Sequence, residues 1–184
     1  EKGIIDLDYS VKKNIFNLCE YLNKKPAQIT ACLLDRPRHK EIIKELNKLG
    51  VKTKLITDGD ISGALLVTDK KYEVDIFLGI GGGPEGVLSA AALDAFNCNF
   101  QGRFLFKTNE DKFRAKKMGI KNLDKKYMLN EIVSGDSIFC ATGITSGDLV
   151  SGIKINENKF ISETLVTHKS TDFKKIIKLK KEIK

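Results

Sequence analysis

The sequence lacks long apolar runs and an amino-terminal targeting pattern. No run approaches the roughly 18 apolar residues that a membrane-spanning helix needs, so a transmembrane protein is excluded. The chain begins at Glu1 rather than Met, and no basic segment leads into an apolar stretch. We therefore expect a chain that was processed or that is part of a longer one. Its 184 residues suffice for a single domain, residues 1–184, and are too few for two domains with full cores.

Cysteine and histidine are few and widely spaced. The four cysteines are Cys19, Cys32, Cys98 and Cys140, and the two histidines are His39 and His168. No C-x-x-C pair is present, and neither histidine is close to a cysteine in sequence, which argues against a disulfide framework or a cysteine-based metal site. Buried free thiols are typical of a reducing compartment, so we expect a cytoplasmic protein, and from the lack of a long apolar run we expect no membrane partner.

Arginine is also scarce, and the excess positive charge is concentrated at the carboxyl end. The net charge is +8, and residues 169–184 hold seven lysines against Asp172 and Glu182. This segment has no arginine and Phe173 as its one aromatic residue, whereas nucleic-acid binding favours arginine and stacking aromatics. We therefore expect residues 169–184 to form a solvated, partly frayed basic tail, and we expect no nucleic-acid partner.

Segments with strand and helix periodicity alternate along the chain. Helices are predicted over residues 11–22, 37–49, 61–67, 85–96 and 110–118, and strands over residues 29–34, 51–56, 74–78, 100–106 and 137–141. Residues 152–155 and 160–168 are better suited to a closing antiparallel pair. The alternation predicts an α/β protein with a largely parallel sheet and helices on its faces.

Glycine and polar residues gather in the loops that follow the predicted strands. The loops cover residues 35–39, 57–60, 79–86 and 142–148. In a parallel sheet such loops meet at one edge, where the amino termini of the following helices also point. This edge is where we expect the functional site. The fourth loop is interpreted as a tight turn packed beneath the site, and no chemistry is assigned to it.

Two of the four arginines, Arg36 and Arg38, flank Pro37, which fixes the backbone before a predicted helix. Two guanidinium groups beside a helix amino terminus suit a phosphate or a carboxylate, because each guanidinium presents a planar, bidentate fork. The alternative is a solvent-exposed turn in which the arginines pair with nearby acids such as Asp35. His39 is interpreted as a helix-start residue, because nothing near it in sequence would orient its ring.

Asp58 and Asp60 flank Gly59 just after a predicted strand. Acids so placed can hold sugar hydroxyls or a divalent cation. Either acid can equally well cap the helix that follows, because aspartate is common at the cap position. The sequence leaves both interpretations open.

The segment 79–86 is the most distinctive part of the chain. Gly81, Gly83 and Gly86 satisfy a G-x-G-x-x-G count, but Glu85 would repel a pyrophosphate, and the acid expected after the next strand is missing. A carboxylate at position 85 is compatible with a bound phosphate if a divalent cation lies between the two. The neighbouring glycine backbone would let the substrate approach closely. On spacing alone, Glu85 could equally serve only the dipole of the helix that follows.

Five segments taken together resemble one enzyme family. They are LDRPRH at 34–39, DGD at 58–60, GIGGGPEGV at 79–87, QGR at 101–103 and ATGITSGDL at 141–149. In this order, and over nearly the whole chain, they are similar to the class II fructose-1,6-bisphosphatases of the GlpX type. The opening GIIDLD at 3–8 also resembles the middle of that family.

The resemblance implies a sugar-phosphatase-like layered α/β sandwich, of which this chain would be the carboxyl-terminal half. It implies hydrolysis of the 1-phosphate of fructose 1,6-bisphosphate to fructose 6-phosphate and phosphate, in gluconeogenesis. Some members of the family also accept sedoheptulose 1,7-bisphosphate. The family uses Mn²⁺ or Mg²⁺, and we expect the complete protein to be a homo-oligomer.

The resemblance also implies roles for individual residues. Substrate binding would fall to Arg36, Pro37, Arg38, Asp58, Gly59, Asp60 and Gly82, the last through its backbone. Glu85 would be a metal ligand. These residues lie in the loops that charge and position already marked as the expected site.

Members of the family are about twice as long as this chain, so it is expected to lack their first half. One carboxylate cannot hold Mg²⁺ or Mn²⁺ well, because these ions want several oxygen ligands. We therefore expect the 184 residues alone to be inactive, with the catalytic residues in the missing half. The alternatives are a non-catalytic phosphosugar-binding protein, a nucleotide-binding Rossmann-like module and a nucleic-acid binder that uses the basic tail.

Overall fold

The computed structural model describes residues 3–183, in which helices and strands alternate. The α-helices are α1 (Val11–Leu22), α2 (Lys40–Lys48), α3 (Asp60–Leu65), α4 (Gly83–Asp94), α5 (Asn109–Lys117) and α6 (Leu129–Ile132). The strands are β1 (Thr30–Leu34), β2 (Lys52–Ile56), β3 (Ile76–Phe77), β4 (Gln101–Arg103), β5 (Lys126–Met128), β6 (Ile138–Thr142), β7 (Lys154–Asn156), β8 (Lys159–His168) and β9 (Phe173–Glu182). No helix in the described range is long and apolar enough to cross a membrane.

The helix boundaries follow local signals in the sequence. α1 begins after Ser10, whose Oγ accepts a hydrogen bond from the backbone N–H of Lys13 at 3.1 Å. α2 is followed by Gly50 with φ of 74°, and α5 by Gly119 with φ of 91°. Glycine ends both helices because it enters this left-handed region without steric conflict. The predicted helices are therefore found within a few residues of their predicted bounds.

A three-stranded parallel sheet in the order β2-β1-β3 carries the first half of the chain. Its central strand β1 has Ala31, Cys32 and Leu33 fully buried, as expected for a strand covered on both faces. α1 and α2 pack on the face of Ala31 and Leu33, whereas Cys32 packs with Leu66 on the opposite face. The predicted α/β fold with a parallel sheet and flanking helices is confirmed.

α3 and α4 lie between this sheet and a second one. Residues of both helices share a core with Phe139 of β6 and Leu165 of β8. The order of layers is therefore helices, parallel sheet, helices and second sheet. This arrangement is the layered α/β architecture that the family resemblance implied.

The parallel arrangement stops after β3. β4 pairs with β5 in an antiparallel ribbon, and β6, β7 and β9 all pair with β8 in antiparallel fashion. Of the predicted strand over 100–106 only Gln101–Arg103 forms a strand, β4, and the one predicted over 137–141 is found as β6, but neither extends the parallel sheet. Turns of a few residues join β7 to β8 and β8 to β9, and such short turns can join only antiparallel strands, because parallel strands need a long crossover. The predicted closing antiparallel pair is confirmed as β7 and β8.

The prediction that residues 169–184 form a partly frayed basic tail is wrong for residues 173–182, although most of these residues are exposed, as expected of a solvated segment. Residues Phe173–Glu182 form β9, which pairs with β8 over its whole length, from Phe173 opposite His168 to Glu182 opposite Lys159. The lysines of this segment are interspersed with Ile176, Ile177 and Leu179, and this pattern suits a strand with one exposed edge. The expected segment ended at Lys184, which lies outside the described residues together with Glu1 and Lys2.

Candidate functional site

The first three predicted loops meet at residues 80–82 of the glycine-rich loop. The guanidinium Nε of Arg38 donates a hydrogen bond to the backbone carbonyl of Ile80. The carboxylate of Asp60 lies beside Gly81, so that a Cβ built on this glycine would stand 3.3 Å from Oδ1. The convergence follows from the parallel sheet, because β1, β2 and β3 all end at this edge.

Glu85 reaches the next residue of the same loop. It lies in the first turn of α4 and its carboxylate folds back over Gly82, where any Cβ would clash with Oε2. Arg38, Asp60 and Glu85 therefore approach three consecutive residues of one loop. A negative side chain in the first turn of α4 is also favoured by the helix dipole.

The arginine loop is a 3₁₀ turn over Pro37–His39 between β1 and α2. Arg36 Nη1 donates to the carbonyl of Asp35 at 3.2 Å, and Arg38 uses Nε on Ile80. Within residues 3–183, neither guanidinium forms an ion pair with an acid, in contrast to the other two arginines. The alternative of an arginine turn neutralised by nearby acids is not what the structure shows. The two terminal nitrogens of Arg38 remain available to a ligand.

The capping alternative for the two aspartates is excluded. α3 begins at Asp60 and its cap residue is Gly59, with φ of 89°, and no side chain caps this helix. Gly59 is required here, because a side chain would be strained at this φ and its Cβ would lie 2.5 Å from the hydroxyl of Ser62. Asp58 is exposed at the end of the loop. Both carboxylates are thus free of the capping role that the sequence left open.

The described residues do not by themselves form a complete site for a divalent cation. In residues 3–183 there is no group of three or more histidine, cysteine, aspartate or glutamate side chains placed to hold a metal. Glu85 and Asp60 flank neighbouring glycines, but Mg²⁺ and Mn²⁺ prefer about six oxygen ligands. No reaction step through a cation follows from these residues alone.

Two residues at the site were missed by sequence reasoning. His39 is fully buried, and its ring contacts the backbone of Leu34 and of Ile80. Phe104 lies 3.5 Å from the position of a Cβ on Gly83 and packs edge-on against Tyr127 at 5.9 Å between ring centroids. Their partners Ile80, Gly83 and Tyr127 are distant along the chain, so no local signal in the sequence indicates these contacts.

The fourth predicted loop does not share the geometry of the other three. It follows β6, which belongs to the antiparallel sheet, so the rule that gathers the ends of parallel strands does not apply to it. Its Asp148 forms an ion pair with Lys54 of β2 at 2.5 Å. The loop folds closely on itself, since a Cβ on Gly143 would collide with the backbone of Ser151. This agrees with a tight turn that carries no assigned chemistry.

A charged network joins the amino-terminal segment to the β4–β5 ribbon. Lys126 Nζ contacts the carboxylates of both Asp6 and Asp8, at 2.7 Å from Asp8, and Arg103 also contacts Asp8. The hydrogen bond from Lys126, followed by that from Arg103, lowers the pKa of Asp8 to about 2. These two acids are thus paired with cationic side chains and hold the segment in place.

The fold and the loop cluster define a layered α/β protein in which arginine and carboxylate side chains surround one glycine-rich loop. The chain belongs to the family of bacterial fructose-1,6-bisphosphatases encoded by glpX, whose family model matches residues 1–181. This confirms the resemblance noted in the sequence.

Curated relatives support the same assignment. The chain is 37% identical to the D-fructose 1,6-bisphosphatase class 2/sedoheptulose 1,7-bisphosphatase of Synechococcus sp. (strain JA-3-3Ab), over 90% of this chain and 51% of the relative. It is 38% identical to fructose-1,6-bisphosphatase 1 class 2 of Escherichia coli (strain K12), over 90% of this chain and 53% of the relative. It is 37% identical to fructose-1,6-bisphosphatase class 2 of Haemophilus influenzae, over 95% and 57%. The chain spans about half the length of the curated relatives it matches.

Proposed function

We propose that a protein containing this chain hydrolyses the 1-phosphate of fructose 1,6-bisphosphate to fructose 6-phosphate and phosphate, in gluconeogenesis. The observation that carries the proposal is the approach of Arg38, Asp60 and Glu85 to three consecutive residues of one loop. Family membership supports the substrate class. The name of the Synechococcus relative supports sedoheptulose 1,7-bisphosphate as a second substrate.

In this proposal the arginine loop binds the phosphate that does not react. Arg38 is held by its Nε on the Ile80 carbonyl, so its two terminal nitrogens can meet two phosphate oxygens as a fork. Arg36 adds a second positive charge, and Pro37 limits the motion of both. Anchoring one phosphate lets its binding energy position the other for reaction.

The sugar is held by the loop before α3 and by the glycine-rich loop. Asp58, Gly59 and Asp60 bind sugar hydroxyls. The hydroxyls donate hydrogen bonds, and carboxylate and backbone carbonyl oxygens accept them. Gly82 contacts the sugar through its backbone, because the absence of a side chain permits close approach. Asp60 is well placed for this role because its carboxylate already faces Gly81.

Glu85 serves as one ligand of Mn²⁺ or Mg²⁺ in the complete protein, where a bound cation would neutralise charge on the reacting phosphate. The residues described here offer too few oxygen ligands for that cation. We therefore propose that the 184 residues alone bind substrate and do not turn it over.

Calorimetric titration of the 184-residue chain with fructose 1,6-bisphosphate tests the substrate site. We expect saturable binding, and a dissociation constant that rises about tenfold or more in Arg38→Ala, as for the loss of a charge-assisted hydrogen bond. Glu85→Gln is the matched variant: it should not weaken binding without metal, because it removes a charge that repels phosphate, and it should weaken the response to Mn²⁺ in a complete protein. The absence of binding by the unmodified chain would remove the proposed substrate.

Phosphate release tests the proposed inactivity of the chain. We expect no turnover of fructose 1,6-bisphosphate by the isolated chain in the presence of Mn²⁺. Measurable turnover would contradict this part of the proposal and would require a full set of metal ligands within these residues.

A non-catalytic phosphosugar-binding protein is the second candidate. The incomplete set of metal ligands in residues 3–183 is the observation that favours it. Phosphate release by a longer protein that contains this chain separates the two functions, because a binding protein would retain affinity for the sugar bisphosphate without hydrolysing it.

We further propose that the complete protein is a homo-oligomer of the cytoplasm that does not bind nucleic acid. The basic residues of β9 are lysines without arginine, and the strand holds one aromatic residue at its start, which gives little for bases to stack on. Light scattering tests the oligomer, and a gel-shift titration at low salt tests for nucleic acid.

A further inference from the structure

We propose that His39 is a positioning residue that fixes the arginine loop to the glycine-rich loop through a neutral imidazole with its proton on Nδ1. The hydrogen-bond network stands on the structure alone. Its effect on substrate affinity rests on the proposed function.

The imidazole of His39 is completely buried between two backbone segments. Nδ1 lies 2.7 Å from the carbonyl oxygen of Leu34, the last residue of β1. Nε2 lies 2.8 Å from the backbone nitrogen of Ile80 and 3.1 Å from its carbonyl oxygen. Both ring nitrogens are therefore within hydrogen-bond distance of the main chain.

The partners determine where the ring proton lies. The backbone N–H of Ile80 can only donate, so Nε2 must present its lone pair to it. The carbonyl of Leu34 can only accept, so Nδ1 must carry the proton. The carbonyl of Ile80 then receives its hydrogen from Nε of Arg38 rather than from the ring. Each donor in the network has an acceptor.

These bonds form a continuous chain from the end of β1 to the arginine loop. It runs from the carbonyl of Leu34 to His39, on to Ile80, and back to Arg38, the residue before His39 in sequence. Because the chain is buried at the ring, water does not compete for the bonds, and successive bonds polarise one another. The guanidinium of Arg38 is thereby held at a fixed place relative to residues 81 and 82.

The consequence concerns affinity rather than folding. A site whose charged groups are already oriented loses less conformational entropy when the ligand binds. Without the hydrogen bond from Ile80 to His39, the glycine-rich loop can shift relative to the arginine loop. The side chains of Arg38, Asp60 and Glu85 then no longer keep fixed positions relative to one another. We therefore expect loss of this bond to weaken substrate binding even where the fold persists.

Two substitutions at His39 distinguish the hydrogen bond to Ile80 from the hydrogen bond to Leu34. The side-chain amide of His39→Gln can place its oxygen near the position of Nε2 and accept the Ile80 N–H. The shorter side chain of His39→Asn reaches only the position of Nδ1, so it keeps the bond to Leu34 and loses the bond to Ile80. His168→Asn is the matched control, because it removes the other imidazole, which pairs with Asp136 and Thr171 at the β8–β9 turn.

Amide hydrogen exchange of Ile80 and titration with fructose 1,6-bisphosphate are measured in all four proteins. We expect Ile80 exchange to accelerate about tenfold or more in His39→Asn, with affinity lowered several-fold, and to stay close to the unmodified rate in His39→Gln and His168→Asn. Equal Ile80 exchange in His39→Asn and the unmodified chain would overturn the proposal.

The ¹⁵N spectrum of the imidazole provides a second measurement that needs no variant at His39. We expect the signature of a protonated Nδ1 and an unprotonated Nε2 in the unmodified chain. A proton on Nε2 would overturn the proposal, because Nε2 could then not accept the hydrogen bond from the Ile80 N–H. If the spectrum and exchange are as expected but the sugar bisphosphate does not bind, the proposed function fails and the loop network stands.

Discussion

The carboxylate of Asp60 lies against Gly81, 3.3 Å from the position that a Cβ would occupy there. The two residues come from different segments, since Asp60 is the first residue of α3 and Gly81 lies in the loop before α4. Their contact brings an acid suited to sugar hydroxyls next to the backbone that the substrate would approach. The absence of a side chain at position 81 is what allows it.

Gly81→Ala tests this contact. The new methyl group would press on Asp60 Oδ1, and the carboxylate is expected to rotate away from the loop. We expect the affinity for fructose 1,6-bisphosphate to fall by roughly threefold to tenfold, with a change in the free energy of unfolding below about 1 kcal/mol. Calorimetric titration and thermal unfolding measure the two quantities.

Gly86→Ala is the matched control for this substitution. Beyond its own helical turns, a Cβ at position 86 would have no neighbour within 4 Å in the described part of the chain. We expect unchanged affinity in this variant. Equal affinity losses in the two variants would show that the contact between Asp60 and Gly81 is not the cause.

The carboxyl of Asp8 should titrate far below the usual range. Hydrogen bonds from Lys126 and Arg103 lower its pKa from 3.8 to about 2. Because the pKa is lower in the folded chain than in the unfolded one, the network stabilises the fold fully above pH of about 4, and this contribution is lost as the pH falls towards 2. NMR titration of the Asp8 carboxyl measures the midpoint directly.

Lys126→Met is the variant that checks the cause of this shift. It removes the larger of the two hydrogen bonds to Asp8, so the midpoint should move up towards the ordinary aspartate value. A midpoint near 4 in the unmodified chain, or an unchanged midpoint in the variant, would contradict the assigned network.

The cysteines should differ sharply in reactivity. Burial raises the pKa of Cys32 to about 11, so its thiol stays protonated at pH of about 8 and is shielded from reagents. Cys140 is exposed on β6. We expect iodoacetamide to label Cys140 first and Cys32 only after unfolding, as resolved by mass spectrometry of peptides. Rapid labelling of Cys32 in the folded chain would contradict the buried position of β1.

Removal of β9 should destabilise the protein. A chain that ends at Asp172 loses a strand that pairs with β8 at ten positions, including Ile176 opposite Leu165 of the core. We expect a loss of about 2 kcal/mol or more, which lowers Tm by roughly 4–8 °C for a chain of this length. Thermal unfolding followed by circular dichroism measures the shift.

The lysine charges themselves should matter little for this stability. Replacing Lys180 and Lys181 with glutamine keeps the strand and removes two exposed charges. We expect Tm to change by no more than about 2 °C.

For the chain that ends at Asp172, an unchanged Tm would contradict the paired strand and would favour the frayed tail that the sequence predicted.

Much of the parallel unit could be predicted from local patterns. The apolar run of β1, the cap at Ser10 and the glycine after α2 are signals contained within a few residues. The antiparallel half was harder, because strand direction depends on how distant segments pair. β9 was missed altogether, since its lysines suggested solvation while its pairing with β8 decides its structure.

The candidate site divides in the same way. Charge, glycine content and position after a strand identified Arg36, Arg38, Asp58, Asp60 and Glu85 as candidates. The sequence could not decide whether Asp58 and Asp60 cap a helix, and only the cap at Gly59 resolves that question. His39 stands at the cap position of α2, as the sequence predicted, but the contacts of its ring were missed, because one partner is Ile80, some 41 positions away.

The sequence by itself determined which residue types stand at the strand ends, because short-range periodicity and glycine positions set those boundaries. The position of the loops after strands also predicted a shared edge, but only the tertiary structure decided that the fourth loop does not join it and that Arg38, Asp60 and Glu85 lie along residues 80–82. The physical reason is that strand pairing brings remote segments together, and hydrogen bonds of the kind made by His39 depend on distances in space that no local pattern encodes.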